Sequence, residues 1–447
     1  MNKMACLFAF AALLFAARLQ SAPVEQAFLV QNSGRMELFY VDPSSAFKPL
    51  VAAVARTVTE PGDALTVAAF NQSGPGNASP QLLYQGSDAG QVAPAIAGLG
   101  LAHKASGALA DTDFREAILG TITGPFHARS GILWIFTNNR NSPGNDPDTA
   151  KRNREFYDLV HLDPSITRSL AFPLRMPVQG THYRANGMMV YALAYGAPAA
   201  ERLERMVVEG TLGKVFTAAP ARLKPLDRDA VRIVPSGVTN SVNVTASLAA
   251  DGRTLVFDIG ASDAVTRIGL KARLENLFYP YRIESARLKA GLATGQGPLA
   301  ATVTPATIHG LAPGEQVDAA LDLPVPATQL PSPWSWAALR ATGREVVMPA
   351  AITIGLDEQQ LRIGERFTGR LAELFPGDPL SDVFVPPASV AASSVTVPVV
   401  FRVRYPLLPL VLMLAAIVLL VAALLLAVWW SRRTVRYEVM IDGSLRK

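Results

Sequence analysis

The sequence predicts an α/β N-terminal domain with a mostly parallel open sheet flanked by helices. Antiparallel β-sandwich regions and one transmembrane helix are expected to follow. Three observations predict this order. From residue 27 to about residue 210, short apolar runs alternate with amphipathic segments of helical period, the pattern of strands joined by crossover helices. Beyond Pro220, strand-length runs follow one another directly, broken by Gly, Pro, Asp and Asn, as in stacked antiparallel sheets. Residues 407–430 carry no charge. As a helix they reach about 36 Å, against a hydrocarbon core of about 30 Å.

The chain has 447 residues, enough for two or three domains with cores of their own. Lys3 precedes an apolar run at 5–17 that is too short for an ordinary span, so residues 1–22 read as a secretory signal. Its Cys6 is the only cysteine, which leaves the exported part without a disulfide or a thiolate nucleophile. Within the expected α/β domain, 23–222, strands are expected at 28–30, 65–70, 82–84, 132–136, 169–172 and 189–194. Phe47, Leu50, Val51 and Val54 repeat at helical spacing, as do Phe114, Ala117, Ile118 and Ile122. A more polar helix is expected at 151–160, and a last one at 199–208, stopped by Gly210 and Gly213.

Residues 223–326 have the size and spacing of an immunoglobulin-like sandwich. Four prolines between 324 and 336 mark a linker. A membrane-proximal β-rich segment, 327–404, is then expected to hold strands at 346–353, 366–371 and 394–403. The transmembrane helix, 406–430, contacts lipid, with Tyr405, Trp429 and Trp430 at its ends as interfacial aromatics. Arg432, Arg433 and Arg436 follow at once and place the tail, 431–447, in the cytoplasm by the positive-inside rule. Ala423 and Ala427, four apart, permit close helix packing and hence self-association.

The formal charge of +5 sits at the ends: residues 1–22 contribute two units and the tail three, leaving the exported part neutral. That argues against a nucleic-acid partner, which would need a basic face. A cysteine-free, Ala/Pro-rich exported region suits a bacterial envelope, the periplasm included.

The chemistry-bearing feature is the segment AFLVQNSGRM at 27–36. A buried strand runs into Gln31-Asn32-Ser33-Gly34-Arg35-Met36. Further on, Thr112 precedes a helical run, and the apolar run 132–136 ends in Thr137-Asn138-Asn139. Order and spacing over roughly residues 25–212 resemble a von Willebrand factor A domain, whose first loop reads Asp-x-Ser-Gly-Ser and whose third ends in Asp. The resemblance implies a metal-ion-dependent adhesion site with its main ligands replaced. Gln31 stands for the first Asp, Arg35 for the second Ser, and Asn138 for the Asp of the third loop.

A hard cation wants oxygen ligands with a carboxylate among them, so the expected cofactor is none. Residual Mg²⁺ binding through Ser33 and Thr112, helped by Asp111 or Asp113, is the weaker reading. The resemblance further implies a protein-binding surface of Gln31, Asn32, Ser33, Arg35, Thr112, Asp113, Asn138, Asn139 and Arg140. In it Arg35 either replaces the cation toward a partner carboxylate or pairs with Asp111 or Asp113.

No catalytic signature is present: no Gly-x-Ser-x-Gly, His-Glu-x-x-His, phosphate loop or dinucleotide fingerprint. His103, His127, His161, His182 and His309 have no ligand spacing. The expectation is a membrane-anchored binding or scaffolding protein of the cell envelope, not an enzyme. One alternative is a structural subunit of a membrane complex held by its sandwich and helix. The other is an envelope hydrolase with an unrecognised site.

Overall fold

The computed structural model describes residues 23–140, 147–180, 183–224, 231–239, 244–260, 266–325, 335, 340, 345–377, 381–386, 392–405 and 407–444. The expected signal segment and most of the proline-rich linker lie outside these residues.

The first half builds a sheet from β1 (Glu25–Gln31), β2 (Ala64–Phe70), β3 (Gln81–Gly86), β4 (Gly131–Thr137), β5 (Ile166–Gln179), β6 (Arg184–Tyr195) and β7 (Ala221–Arg222). Six helices accompany it: α1 (Glu37–Val41), α2 (Phe47–Val58), α3 (Val92–Ala97), α4 (Phe114–Thr123), α5 (Pro147–His161) and α6 (Ala197–Val208). The sheet order is β3-β2-β1-β4-β6-β5-β7. Strands β1 and β4 are buried along their whole length. On one face Phe28, Val30, Trp134 and Phe136 pack with α1, α2 and α6; on the other Leu29, Leu133 and Ile135 pack with α4 and α5. Burial of both faces explains why these strands read as unbroken apolar runs.

The expected mostly parallel sheet is not what forms. Only β1–β2 and β1–β4 pair in parallel; β2–β3, β4–β6, β6–β5 and β5–β7 are antiparallel. The chain as a whole is dominated by strands in two large sheets rather than by an α/β parallel sheet. The connections decide the direction. Strand β3 returns beside β2 without a crossover helix, and β6 turns back on β5 near Gly180, whose N–H donates to the Tyr183 carbonyl. Parallel neighbours need a long crossover, and short returns enforce antiparallel pairing.

At the end of the sheet away from the β1 loop, polar groups are buried. Trp134 Nε1 donates to Gln26 Oε1, and Gln26 Nε2 donates to Asp63. Arg202 of α6, 1% exposed, pairs with Glu60 and Asp63.

The second half contains β8 (Val231–Val238), β9 (Val244–Leu248), β10 (Leu255–Gly260), β11 (Arg267–Asn276), β12 (Tyr281–Thr294), β13 (Gly297–Thr304), β14 (Thr307–Leu311), β15 (Gln316–Pro324), β16 (Glu345–Ile363) and β17 (Ala392–Arg404). Among the described residues two helices accompany them: α7 (Glu365–Leu374) and α8 (Leu408–Ser444). The strands run in the order β8-β11-β15-β13-β12-β16-β17-β10-β9, with β14 on β12. Strand β16 pairs with β12 and β17 with β10, so both expected β stretches share one sandwich core around Phe257, Leu270, Ile283, Ile354 and Phe401.

Helix α8 contains a stretch, Leu410–Arg432, of mean hydropathy 3.3 and 0% buried, long and apolar enough to cross a membrane. The helix continues through Ser444.

Where a strand was expected at 366–371, the chain forms α7. Phe367, Leu371 and Leu374 recur at i, i+4 and i+7 and all three are buried, which is one helical face. That face joins Phe114, Phe156 and Tyr191 in the core of the first sheet, together with Phe375, Val383 and Phe384. The sandwich therefore clamps the N-terminal half. Tyr281 Oη donates to Phe384 O, Tyr157 Oη to Val385 O, and Arg370 to Pro173 O.

His161, 3% exposed, bonds through Nε2 to Val383 O in this clamp. Burial, aided by the Lys224 charge and opposed by the Val383 hydrogen bond and Asp158, pushes its pKa from 6.5 down to about 4. The unfolded chain takes up this proton below about 6.5 and the folded one only near 4, so stability falls with pH inside that window. The loss approaches roughly 3 kcal/mol at the acid end. Hydrogen exchange across 365–385 at pH 7 and pH 5 should show protection lost on acidification, and His161→Leu should flatten that dependence.

Candidate functional site

The three loops named by sequence spacing meet beyond the C-terminal ends of β1 and β4. Gln31, the last residue of β1, occupies their centre. Its Nε2 donates to Ser33 Oγ at 2.8 Å and to Thr112 Oγ1 at 2.9 Å. Its Oε1 accepts from Thr137 Oγ1 and from the Asn138 backbone N–H. That backbone donor settles which way the carboxamide faces, because an N–H must meet the oxygen. Thr112 Oγ1 also donates to Ser33 Oγ at 2.7 Å. One neutral amide thus ties the loops together by four hydrogen bonds.

This donor set does not fit a hard cation. Where an ion would need lone pairs, Gln31 presents N–H groups, and both hydroxyls are already turned toward it or each other. The nearest acids on the second loop are otherwise engaged. Asp111 pairs with Lys104, and Asp113 caps α4 by accepting from Glu116 N. Neither pairs with Arg35, so the pairing expected as an alternative is not formed.

The nine expected surface residues divide into two groups. Gln31, Ser33, Thr112 and Asn139 are 0% exposed, with Asn32 at 4% and Asn138 at 6%. Asn32 is a staple: its N–H donates to Phe70 O, its carbonyl accepts from Ala102 N, and its Oδ1 accepts from Asn71 Nδ2. Asn139 holds φ 61°, a left-handed backbone that Asn tolerates well. Its N–H donates to Thr137 Oγ1 and its Oδ1 accepts from Tyr191 Oη. Gly34 is required by close approach, since a Cβ there would lie 2.6 Å from Leu109 Cβ. Only Arg35, Asp113 and Arg140 reach solvent.

Asn138 connects interior to rim. Its Nδ2 donates to Arg35 O at 2.6 Å and its Oδ1 accepts from Arg140 N. The amide network therefore sets the backbone of both arginines. Their side chains line a small cavity with Tyr183 and Arg184 from the β5–β6 turn and with Leu374 and Pro376 from the clamp. Sequence reasoning missed these partners. Tyr183 and Arg184 belong to a hairpin that no motif marks, and α7 comes from some 230 residues further along the chain.

No family model matches the chain, and no curated protein matches it. Among solved structures it is similar to the E. coli chaperone DraB over 40% of this chain and 55% of that one, at 12% identity and TM-score 0.18. It is also similar to CfaE, the adhesive subunit of the CFA/I fimbria of enterotoxigenic Escherichia coli. That match covers 53% of this chain and 72% of that one, at 8% identity and TM-score 0.13. The chain spans about half the length of the chaperone. Likenesses of this size carry no argument, and none points to a von Willebrand factor A domain.

Proposed function

We propose that the chain is a membrane-anchored protein-binding or scaffolding component of the cell envelope, without catalytic activity or a resident metal. Helix α8 supplies the anchor, and the arginines after Trp430 support an exported body with a cytoplasmic tail. The carrying observation is a contrast at the loop edge. The interior of the edge satisfies its own polar groups, while Arg35 and Arg140 stand at the rim with no carboxylate partner among the described residues. Buried Arg35 Nε also has no hydrogen-bond partner there. Guanidinium groups so placed are suited to a partner's acceptors.

A second reading, a purely structural subunit, draws on the burial of six of the nine loop residues. In-cell photo-crosslinking separates the two, with benzoylphenylalanine replacing exposed Arg115 at one position and exposed Gln179, beside the β5–β6 turn, at the other. One recurrent protein captured from both positions is the expected outcome. No adduct from either, in exported and folded protein, would leave the edge inert and favour the structural reading.

A further inference from the structure

We propose that the cavity framed by Arg35, Arg140, Tyr183 and Arg184 receives a single carboxylate of a partner protein, an Asp or Glu side chain on an otherwise apolar segment. This inference rests on the binding reading above and names the chemistry of that contact.

The charge balance carries it first. Three arginines line one cavity, and none forms an ion pair among the described residues. Arg140 spends one donor on the neutral carbonyl of Pro376, which leaves its charge uncompensated. The Glu37 carboxylate acts electrostatically on Tyr183 against Arg35 and Arg140. It compensates Arg35 and Arg140 only in part. Like charges held together with too few counterions are unfavourable, and an incoming anion relieves that cost while accepting bidentate hydrogen bonds.

Size and lining select the anion. The cavity measures about 30 Å³, more than a single water requires and enough for a small anionic group such as a carboxylate. The opposite wall is apolar, from Leu38, Leu374 and Pro376. Such a wall suits the methylene stem and neighbours of an acidic side chain. A nucleic-acid backbone would need a basic stripe instead of one small cavity. A lipid headgroup at the α8 end is disfavoured by distance along the strand. Thirteen residues of β17 separate the clamp end of the sandwich from the start of α8, a rise of about 40 Å.

The arginines are also held in place. Asn138 bonds both backbones and is itself bonded to Gln31, so binding need not organise the loops. Preorganisation of this kind lowers the entropic cost of association.

The test uses the full-length protein in its own membrane, with the photo-probe at exposed Gln179, which pairs opposite Arg184 and is not part of the cavity lining. The doubly substituted Arg35→Gln, Arg140→Gln chain should give at least tenfold less adduct. Arg35→Lys with Arg140→Lys, which keeps the charge, should retain most of it and thereby report on folding. Reversing the captured segment's acidic residue to Lys should abolish capture by the wild type and restore it for Arg140→Glu. Undiminished capture by the double Gln chain, or a captured segment with no Asp or Glu, overturns the carboxylate assignment while the binding reading survives. Capture from Arg115 but not from Gln179 also overturns it alone. Silence at both positions removes both readings.

Discussion

Arg202→Met is expected to destabilise the N-terminal half by about 3–5 kcal/mol, the usual cost of removing one partner from a buried ion pair. Arg202 is 1% exposed and Asp63 2% exposed, so the abandoned Asp63 carboxylate would have little water to turn to. Burial already raises the Asp63 pKa, against hydrogen bonds from Gln26 and the Val24 amide. The same carboxylate links to Trp134 through Gln26, which spreads the damage into β1 and β4. Adding Asp63→Asn should recover part of the loss, because the cost lies in the uncompensated charge more than in the missing contact. Amide exchange in β1 and β4 of the full-length protein reads both effects. A loss below about 1 kcal/mol would mean that the pair behaves as a solvated surface bridge.

Gln31→Leu is expected to cost about 3 kcal/mol, although volume and shape are nearly kept. The substitution leaves an N–H at Asn138 and hydroxyls at Ser33, Thr112 and Thr137 without their shared partner. Each buried group so abandoned costs about 1–3 kcal/mol. The Thr112–Ser33 and Asn139–Thr137 bonds survive and hold the total down. The readout is faster exchange of the 31–36 and 137–140 amides in the full-length protein, with β8 to β17 unchanged. If those loops keep wild-type protection, the amide is not what joins them.

Strand positions were legible because β1 and β4 are buried on both faces and must be apolar throughout. Strand direction was not legible. It depends on whether a connection crosses the sheet or turns back, and the returns at β3 and β6 carry no distinctive run. Helix α7 was misread as a strand because its buried face is only Phe367, Leu371 and Leu374. Three apolar residues among charged ones, between two long strands, give little weight to a helical period.

The convergence of Gln31, Ser33, Thr112 and Asn138 was expected only through the resemblance to von Willebrand factor A loops, with the apolar runs before them marking where to look. Their exposure did not. A polar residue at a loop reads as surface until its partners are known, and here the partners are each other. The basic cavity was illegible for another reason. It draws on a hairpin turn and on a clamp helix far along the chain, and no local spacing connects them.

Strands β16 and β17 are joined through the clamp at one end, and β17 leads into α8 at the other. Any pull on the loop edge that reaches the clamp therefore passes to α8 along the strand axes. Their pairing extends over thirteen registered residue pairs, from Asp357 opposite Ala392 to Glu345 opposite Arg404. Load entering at the clamp is carried along the β17 backbone itself, with β16 paired beside it over that whole length. Mechanically, the ladder acts as a stiff strut between the clamp and α8.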